Sequence, residues 1–117
     1  MTNIDIEARR LLPLPPAVLH ILITLGEGAK HGYAVMQEVA DRTGGEVRMS
    51  PGTLYGSIRK MLEDGLIEES FHRGGDDERR RYYRLTRFGR AVAAAEAERL
   101  AALLHHARLN GLVPRRS

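Results

Sequence analysis

The chain has 117 residues, of which 43% are hydrophobic and 28% are charged, so we expect one small folded domain rather than a catalytic domain joined to a regulatory one. The sequence contains neither Cys nor Trp, which excludes disulfides, thiolate metal sites and cysteine nucleophiles. It has no apolar run long enough to span a bilayer and no signal-peptide pattern, so we expect a cytoplasmic protein.

The basic residues are almost all arginine. Only Lys30 and Lys60 are lysines among the 18 basic side chains, which leaves 16 arginines against 15 acids and a net charge of +3. Arginine is the side chain best suited to bidentate contacts with phosphate. Six arginines and no acid lie between residues 79 and 90, whereas acids gather at 63–69 and 76–78. The arginine run is either a solvated face or a phosphate-binding surface.

Two helices are predicted in the first third of the chain. Residues 1–12 show no sustained period and form an arm or a short helical extension. A first helix runs from about Pro15 to Leu25 and is apolar on more than one side, so we expect Leu19 and Ile23 to face a partner subunit. A second helix follows and ends at Gly44-Gly45. Its apolar stripe is formed by Tyr33, Val35, Met36, Val39 and Ala40.

A third helix begins at Ser50-Pro51, an N-cap followed by proline at the first helical position. Its apolar stripe is formed by Leu54, Ile58, Met61 and Leu62. The opposite face carries Gly52, Thr53, Gly56, Arg59, Lys60 and Glu63. Each interior glycine costs a helix on the order of 1 kcal/mol, which indicates that something approaches this face closely.

A β-hairpin follows the third helix. The strands are predicted over residues 66–72 and 79–85, joined by a polar, glycine-containing loop. Tyr83 is assigned to the core, and Arg73 and the run Arg79, Arg80 and Arg81 give the hairpin a basic surface. Arg84, Arg87 and Arg90 either share that surface or pair with acids.

A final helix is predicted from Arg87 to Leu109, capped by Thr86. Its roughly 23 residues exceed what so small a core needs, so we expect its surplus apolar surface to form a dimer. The interface residues predicted on this helix are Val92, Leu100, Leu103, Leu104 and Ala107.

This order of elements predicts a mainly α fold with a small β-hairpin, namely a winged helix-turn-helix with a long C-terminal dimerisation helix. We divide the chain into an arm (1–12), the winged helix-turn-helix domain (13–86), the dimerisation helix (87–111) and a disordered tail (112–117). The major groove of DNA admits one α-helix, and arginines of a hairpin beside it can contact the backbone or the minor groove.

Four sequence motifs follow one another along the chain. They are His31-Gly32-Tyr33-Ala34-Val35, Ser50-Pro51-Gly52-Thr53-Leu54-Tyr55, Leu62-Glu63-Asp64-Gly65-Leu66-Ile67, and Arg81-Tyr82-Tyr83-Arg84-Leu85-Thr86 followed by Gly89-Arg90. In this order they resemble the PadR family of transcriptional regulators. The resemblance covers about residues 12–110. It implies a winged-helix repressor that dimerises through its C-terminal helix and is often released from DNA by a small molecule.

The resemblance places Tyr55 on the tyrosine of the family's recognition helix, Ser50 and Thr53 on its first turn, and 79–81 on the base of its wing. Gly56 departs from the pattern, because the family usually has a residue such as proline there. The predicted DNA contacts are Ser50, Thr53, Tyr55, Arg59, Lys60, Arg73, Arg79, Arg80 and Arg81. For Tyr55 the alternative is a core-edge aromatic.

Other functions have less support in the sequence. His105 and His106 are adjacent and so point about 100° apart on a helix, which makes a shared metal ion improbable. No catalytic constellation or cofactor motif has usable spacing, so we expect neither an enzyme nor a bound cofactor. The acids Glu63, Asp64, Glu68 and Glu69 leave open a winged-helix adaptor that binds protein rather than DNA.

Overall fold

The computed structural model describes residues 2–70 and 81–113. The elements are α1 (Asn3–Arg9), α2 (Pro16–Leu25), β1 (Lys30–His31), α3 (Gly32–Arg42), α4 (Pro51–Glu63), β2 (Ile67–Ser70), β3 (Tyr82–Leu85) and α5 (Arg87–Leu109). The strands form one antiparallel sheet in the order β1-β3-β2. The predicted hairpin loop and its residues Arg73, Arg79 and Arg80 lie outside the described residues, as does most of the predicted tail.

The predicted fold class is confirmed, and the helix starts follow the predicted caps. The Thr53 backbone N–H donates to Ser50 Oγ over 3.1 Å, and the Gly89 N–H donates to Thr86 Oγ1 over 2.9 Å. Each cap satisfies a backbone donor that has no partner within its helix. For this reason α4 and α5 begin where local sequence alone places them.

The strand β1 was not predicted. It has two residues, and it pairs Lys30 with Tyr83 and His31 with Tyr82 across β3. Two residues are too few for an alternating pattern to be recognised. His31 also caps α3, since its Nδ1 accepts a hydrogen bond of 3.1 Å from the Ala34 N–H.

The core lies between α2, α3, α4, the sheet and the first half of α5. It contains Ile21, Leu22, Leu25, Val35, Val39, Leu54, Ile58, Met61, Leu66, Ile67, Tyr83 and Val92. Tyr83 is buried as predicted. Tyr33 is not a core residue, because it is 62% exposed. It lies about 200° around the helix from Val35 at 100° per residue, and buried Gly32 occupies the inner position instead.

The N-terminal half of α5 packs directly on the chain between α4 and β2. A Cβ atom added to Gly89 would lie 1.8 Å from the Leu66 carbonyl oxygen. Thr86 ties the same two segments together, because its Oγ1 donates to the Gly65 carbonyl over 2.5 Å and its N–H donates to the Leu66 carbonyl over 3.1 Å. These contacts set the position of the hairpin relative to α5.

The N-terminal arm is helical and packs against α5. The segment after it is held by Glu96, a buried residue of α5 whose carboxylate accepts a hydrogen bond of 2.7 Å from the Leu14 N–H and pairs with Arg99. The hydrogen bond from Arg99 holds the pKa of Glu96 below its ordinary value, against the opposing effect of burial. Within the described ranges no helix has the length and apolarity needed to cross a membrane.

Candidate nucleic-acid interface

The helix α4 buries one face in the core and exposes the other. Leu54, Ile58 and Met61 are buried on the inner face. On the outer face, a Cβ atom added to Gly56 would meet nothing within 4 Å, and one added to Gly52 would meet only Ser50 Oγ, at 3.9 Å. The chain's own packing therefore requires neither glycine.

Arg59 is the available cation on this face. It is exposed, and it makes no ion pair with any residue in the described ranges. Ser50 and Thr53 lie on the exposed first turn, where Ser50 Oγ is 3.1 Å from Thr53 Oγ1. Hydroxyl and guanidinium donors therefore project from one open helix face.

Tyr55 lies at the edge of that face. Its side chain is 47% exposed, and its ring and hydroxyl lie about 3.1 Å from where a Cβ atom on Gly32 would be. The ring thus covers the start of α3 while part of the side chain remains in solvent. This position is compatible with both roles considered for Tyr55, the phosphate contact and the core-edge aromatic.

Lys60 is paired rather than available. Its Nζ lies 3.0 Å from Asp64 Oδ1 one turn further along α4. The hydrogen bond to Asp64 raises the pKa of Lys60 above its ordinary value, so the side chain stays charged. A contact between Lys60 and DNA would have to replace this partner.

The described arginines at the base of the hairpin are also paired. Arg81 Nη1 lies 3.4 Å from Glu69 Oε1, and Arg84 Nε lies 2.9 Å from Glu68 Oε1. The pairing of Arg84 follows one of the two predicted alternatives. Asp64, Glu68 and Glu69 therefore do not form an unpartnered acidic surface of the kind an adaptor for basic partners would use.

The predicted dimer residues occupy two environments. Val92 is fully buried in the core of the single chain, so it has no surface to offer a partner, and we correct its assignment. Its position in the buried first half of α5 explains this. Ile23, Leu100, Leu103 and Leu104 are exposed, and Leu19 and Ala107 are half-buried. From Leu100 to Leu104 every residue of α5 is exposed.

Two exposed residues near α4 were not predicted as contacts. Arg48 lies two residues before the Ser50 cap, is exposed, and makes no ion pair within the described part of the chain. Tyr33 is exposed in the first turn of α3, next to the Gly32 that Tyr55 covers. The sequence signal for Arg48 was an arginine two residues before a strong N-cap. Tyr33 had none, because its spacing matched a core position.

The histidines of α5 give no metal centre in the described chain. The rings of His105 and His106 have centroids 5.7 Å apart at an angle of 60°. Within residues 2–70 and 81–113 no three side chains of the kind that bind metal ions are grouped together.

Comparison with known proteins identifies the family. Residues 18–95 match the transcriptional regulator PadR-like family. The chain is 39% identical over 82 residues to the transcriptional regulator Rv3488 of Mycobacterium tuberculosis, covering 70% of this chain and 73% of that protein. It is 31% identical over 71 residues to an uncharacterized protein of Lysinibacillus sphaericus, covering 61% of this chain but only 65% of the relative's length.

Solved structures agree with the fold. RosR of H. salinarum has a TM-score of 0.65 and 27% identity, with 79% of this chain and 78% of that chain covered. PadR of Bacillus subtilis, solved in complex with operator DNA, has a TM-score of 0.60 and 20% identity, with 75% of this chain and 48% of that chain covered. Through the matched motifs and the shared winged-helix fold, the chain belongs to the PadR-like family of transcriptional regulators, a class of regulators rather than enzymes.

Proposed function

We propose that this chain is a homodimeric repressor that binds a pseudo-palindromic operator in the cytoplasm and is released by a small-molecule effector. Each α4 enters the major groove of one half-site, and each hairpin contacts the flanking backbone. An effector bound at the dimer interface changes the separation of the two α4 helices and thereby weakens DNA binding.

The outer face of α4 is the observation that carries this proposal. A helix of a small domain normally covers its glycines or replaces them, since interior glycine lowers helix stability. Here Gly52 and Gly56 lie open, beside the exposed Arg59, which has no ion-pair partner among the described residues. DNA can approach a helix closely where glycines leave the backbone uncovered, and its base edges and phosphates accept hydrogen bonds from a guanidinium.

The C-terminal half of α5 supports the dimer. Leu100, Leu103 and Leu104 are exposed on a helix that extends past the core, and Ile23 of α2 adds a further exposed apolar side chain. Two copies related by a two-fold axis would cover these leucines and present two α4 helices, as a palindromic site requires.

The experiment that tests DNA binding has two steps. Fragments bound by the purified full chain are first selected from genomic DNA, and their affinity is then measured by fluorescence anisotropy. Arg59→Ala is expected to weaken binding by about 1–3 kcal/mol, or roughly 5- to 150-fold, if Arg59 contacts a base. Arg10→Ala removes the same charge from the residue that caps the end of α1 and pairs with Glu7, and it serves as the matched control.

Failure to select any fragment would refute the DNA-binding proposal, as would equal effects of Arg59→Ala and Arg10→Ala. Light scattering tests the dimer separately, since the monomer mass is 13.1 kDa and the native protein should show twice that value. Leu103→Asp should yield the monomer and lose operator binding, whereas Leu112→Asp, at an exposed leucine beyond α5, should do neither. A monomeric native protein at micromolar concentration would contradict the dimer.

A further inference from the structure

One ion pair of the hairpin lies on the face of the sheet that packs against the helices. In the strand register Glu69 is directly opposite buried Tyr83, and Arg81 comes two residues before Tyr83. Side chains alternate between the two faces of a strand, and directly opposed residues share a face. Glu69 and Arg81 are therefore on the inner face with Tyr83, at its open end.

This end of the inner face adjoins α4. Burial raises the pKa of the Tyr83 hydroxyl above its ordinary value, the Glu69 charge adds to the rise, and the Arg81 charge opposes it. Tyr55 of α4 makes a further, smaller contribution. The strand β2, which carries Glu69, contacts α4, the helix that carries the predicted DNA contacts.

A second pair of the same chemistry lies on the opposite face of the sheet. Glu68 is the direct partner of Arg84 across the strands, and Arg84 Nε is 2.9 Å from Glu68 Oε1. The two pairs join the same residue types on opposite faces of the sheet, and the Glu68–Arg84 pair is the shorter and less exposed of the two. The Glu68–Arg84 pair therefore provides an internal control for the Glu69–Arg81 pair.

The Glu69–Arg81 pair is open to exchange. The side chains of Arg81 and Glu69 are 75% and 53% exposed, and the closest atoms are 3.4 Å apart. Exposed ion pairs contribute little to stability, because water screens them and two long side chains must be ordered. A phosphate that approaches Arg81 can therefore displace the carboxylate at small cost.

We propose that Glu69 holds Arg81 in the free protein and releases it to a DNA phosphate on binding, so that Glu69 limits the affinity of the hairpin for DNA. This inference rests on the proposed DNA binding. Glu69 acts through Arg81 and is a positioning residue. When Arg81 moves to the phosphate, the phosphate releases a cation and the Glu69 carboxylate takes one up. The net number of cations released on DNA binding is therefore smaller.

The test compares the native full chain with Glu69→Gln on a selected genomic fragment, by anisotropy at several salt concentrations. Loss of a surface ion pair predicts that Glu69→Gln binds about two- to five-fold more tightly. The slope of log affinity against log salt should also steepen, because Glu69→Gln removes the cation uptake that offsets counterion release in the native chain.

A double-mutant cycle separates this mechanism from a change in net charge. In the native background, Glu68→Gln should change affinity less than Glu69→Gln does, and in an Arg81→Gln background the effect of Glu69→Gln should fall to that of Glu68→Gln. Thermal unfolding of each variant checks that the fold is intact. The inference is overturned if Glu69→Gln leaves affinity unchanged, if its full effect persists without Arg81, or if Glu68→Gln matches it in the native background. A native chain that binds no selected fragment refutes the proposed function itself.

Discussion

The helices α4 and α5 each contain a glycine, a residue that destabilises helices, but the two glycines face opposite ways. Gly89 of α5 faces inward, where a Cβ atom would lie 1.8 Å from the Leu66 carbonyl oxygen. Gly56 of α4 faces outward, where a Cβ atom would touch nothing within 4 Å. The inner glycine is required by the fold. The outer glycine costs the fold stability, and under the proposed function its benefit is the close approach of DNA to α4.

The largest expected effect is that of Gly89→Ala on stability. The added methyl group would overlap a backbone carbonyl, which a rotamer change cannot relieve, so we expect the free energy of unfolding to fall by about 3 kcal/mol or more. Chemical denaturation measures this change. An unchanged denaturation midpoint would contradict the close approach of α5 to Leu66.

The next largest effect is that of Glu96, the buried carboxylate of α5, on stability. Glu96→Gln keeps an acceptor for the Leu14 N–H but loses the charge that pairs with Arg99, and we expect a loss of about 1–3 kcal/mol near pH 7. The pKa of Glu96 is lowered in the folded protein, so its contribution is complete above the ordinary value of 4.5 and is lost as pH falls through the lowered folded value.

Denaturation of both proteins from pH 7 down to pH 3 tests this expectation. The difference in unfolding free energy between the native chain and Glu96→Gln should be constant near neutral pH and shrink in acid. A difference that grows as pH falls would show that the sign of the Glu96 shift is wrong.

The smallest expected change in stability is also the most informative for function. Gly56→Ala should raise the free energy of unfolding by about 0.5–1 kcal/mol, because alanine is the better helix former and the site is open. The same methyl group should weaken operator binding, by roughly ten-fold if it keeps α4 from one hydrogen bond to a base.

If Gly56→Ala raises stability and lowers DNA affinity, Gly56 serves binding whereas Gly89 serves the fold. If Gly56→Ala stabilises the protein and leaves DNA affinity unchanged, the outer face of α4 does not approach the bases closely. Gly89→Ala supplies the comparison, because there a loss of DNA binding would follow the loss of the fold.

Much of the fold could be predicted because its signals are local. Ser50-Pro51 and Thr86 mark the starts of α4 and α5, and a cap is satisfied by atoms within three residues of itself. The stripe Leu54, Ile58 and Met61 gives the buried face of α4 by periodicity alone. The recognition of the family rests on motifs of the same local kind.

The errors and omissions share a different origin. Val92 was predicted at the dimer interface and Tyr33 on the apolar stripe of the second helix. Each prediction followed a helical spacing, which does not show which neighbour covers a position. The two residues of β1 show no strand pattern in the sequence. They form a strand only because they pair with β3. Glu96 was not singled out, since its partner Leu14 lies 82 residues away in sequence.

The sequence by itself therefore determined the element order, the helix caps, the basic character of the hairpin and the family, all of which depend on residues close together in the chain. Only the tertiary structure decided which cations are available. Arg81 is held by Glu69 of the neighbouring strand, whereas Arg59 has no acid partner in the described chain. The Lys60–Asp64 pair differs from these, because its two residues are four positions apart and its contact is local. The strength of an ion pair depends on the distance between its side chains in space, and β2 and β3 bring Glu69 and Arg81 together only after folding.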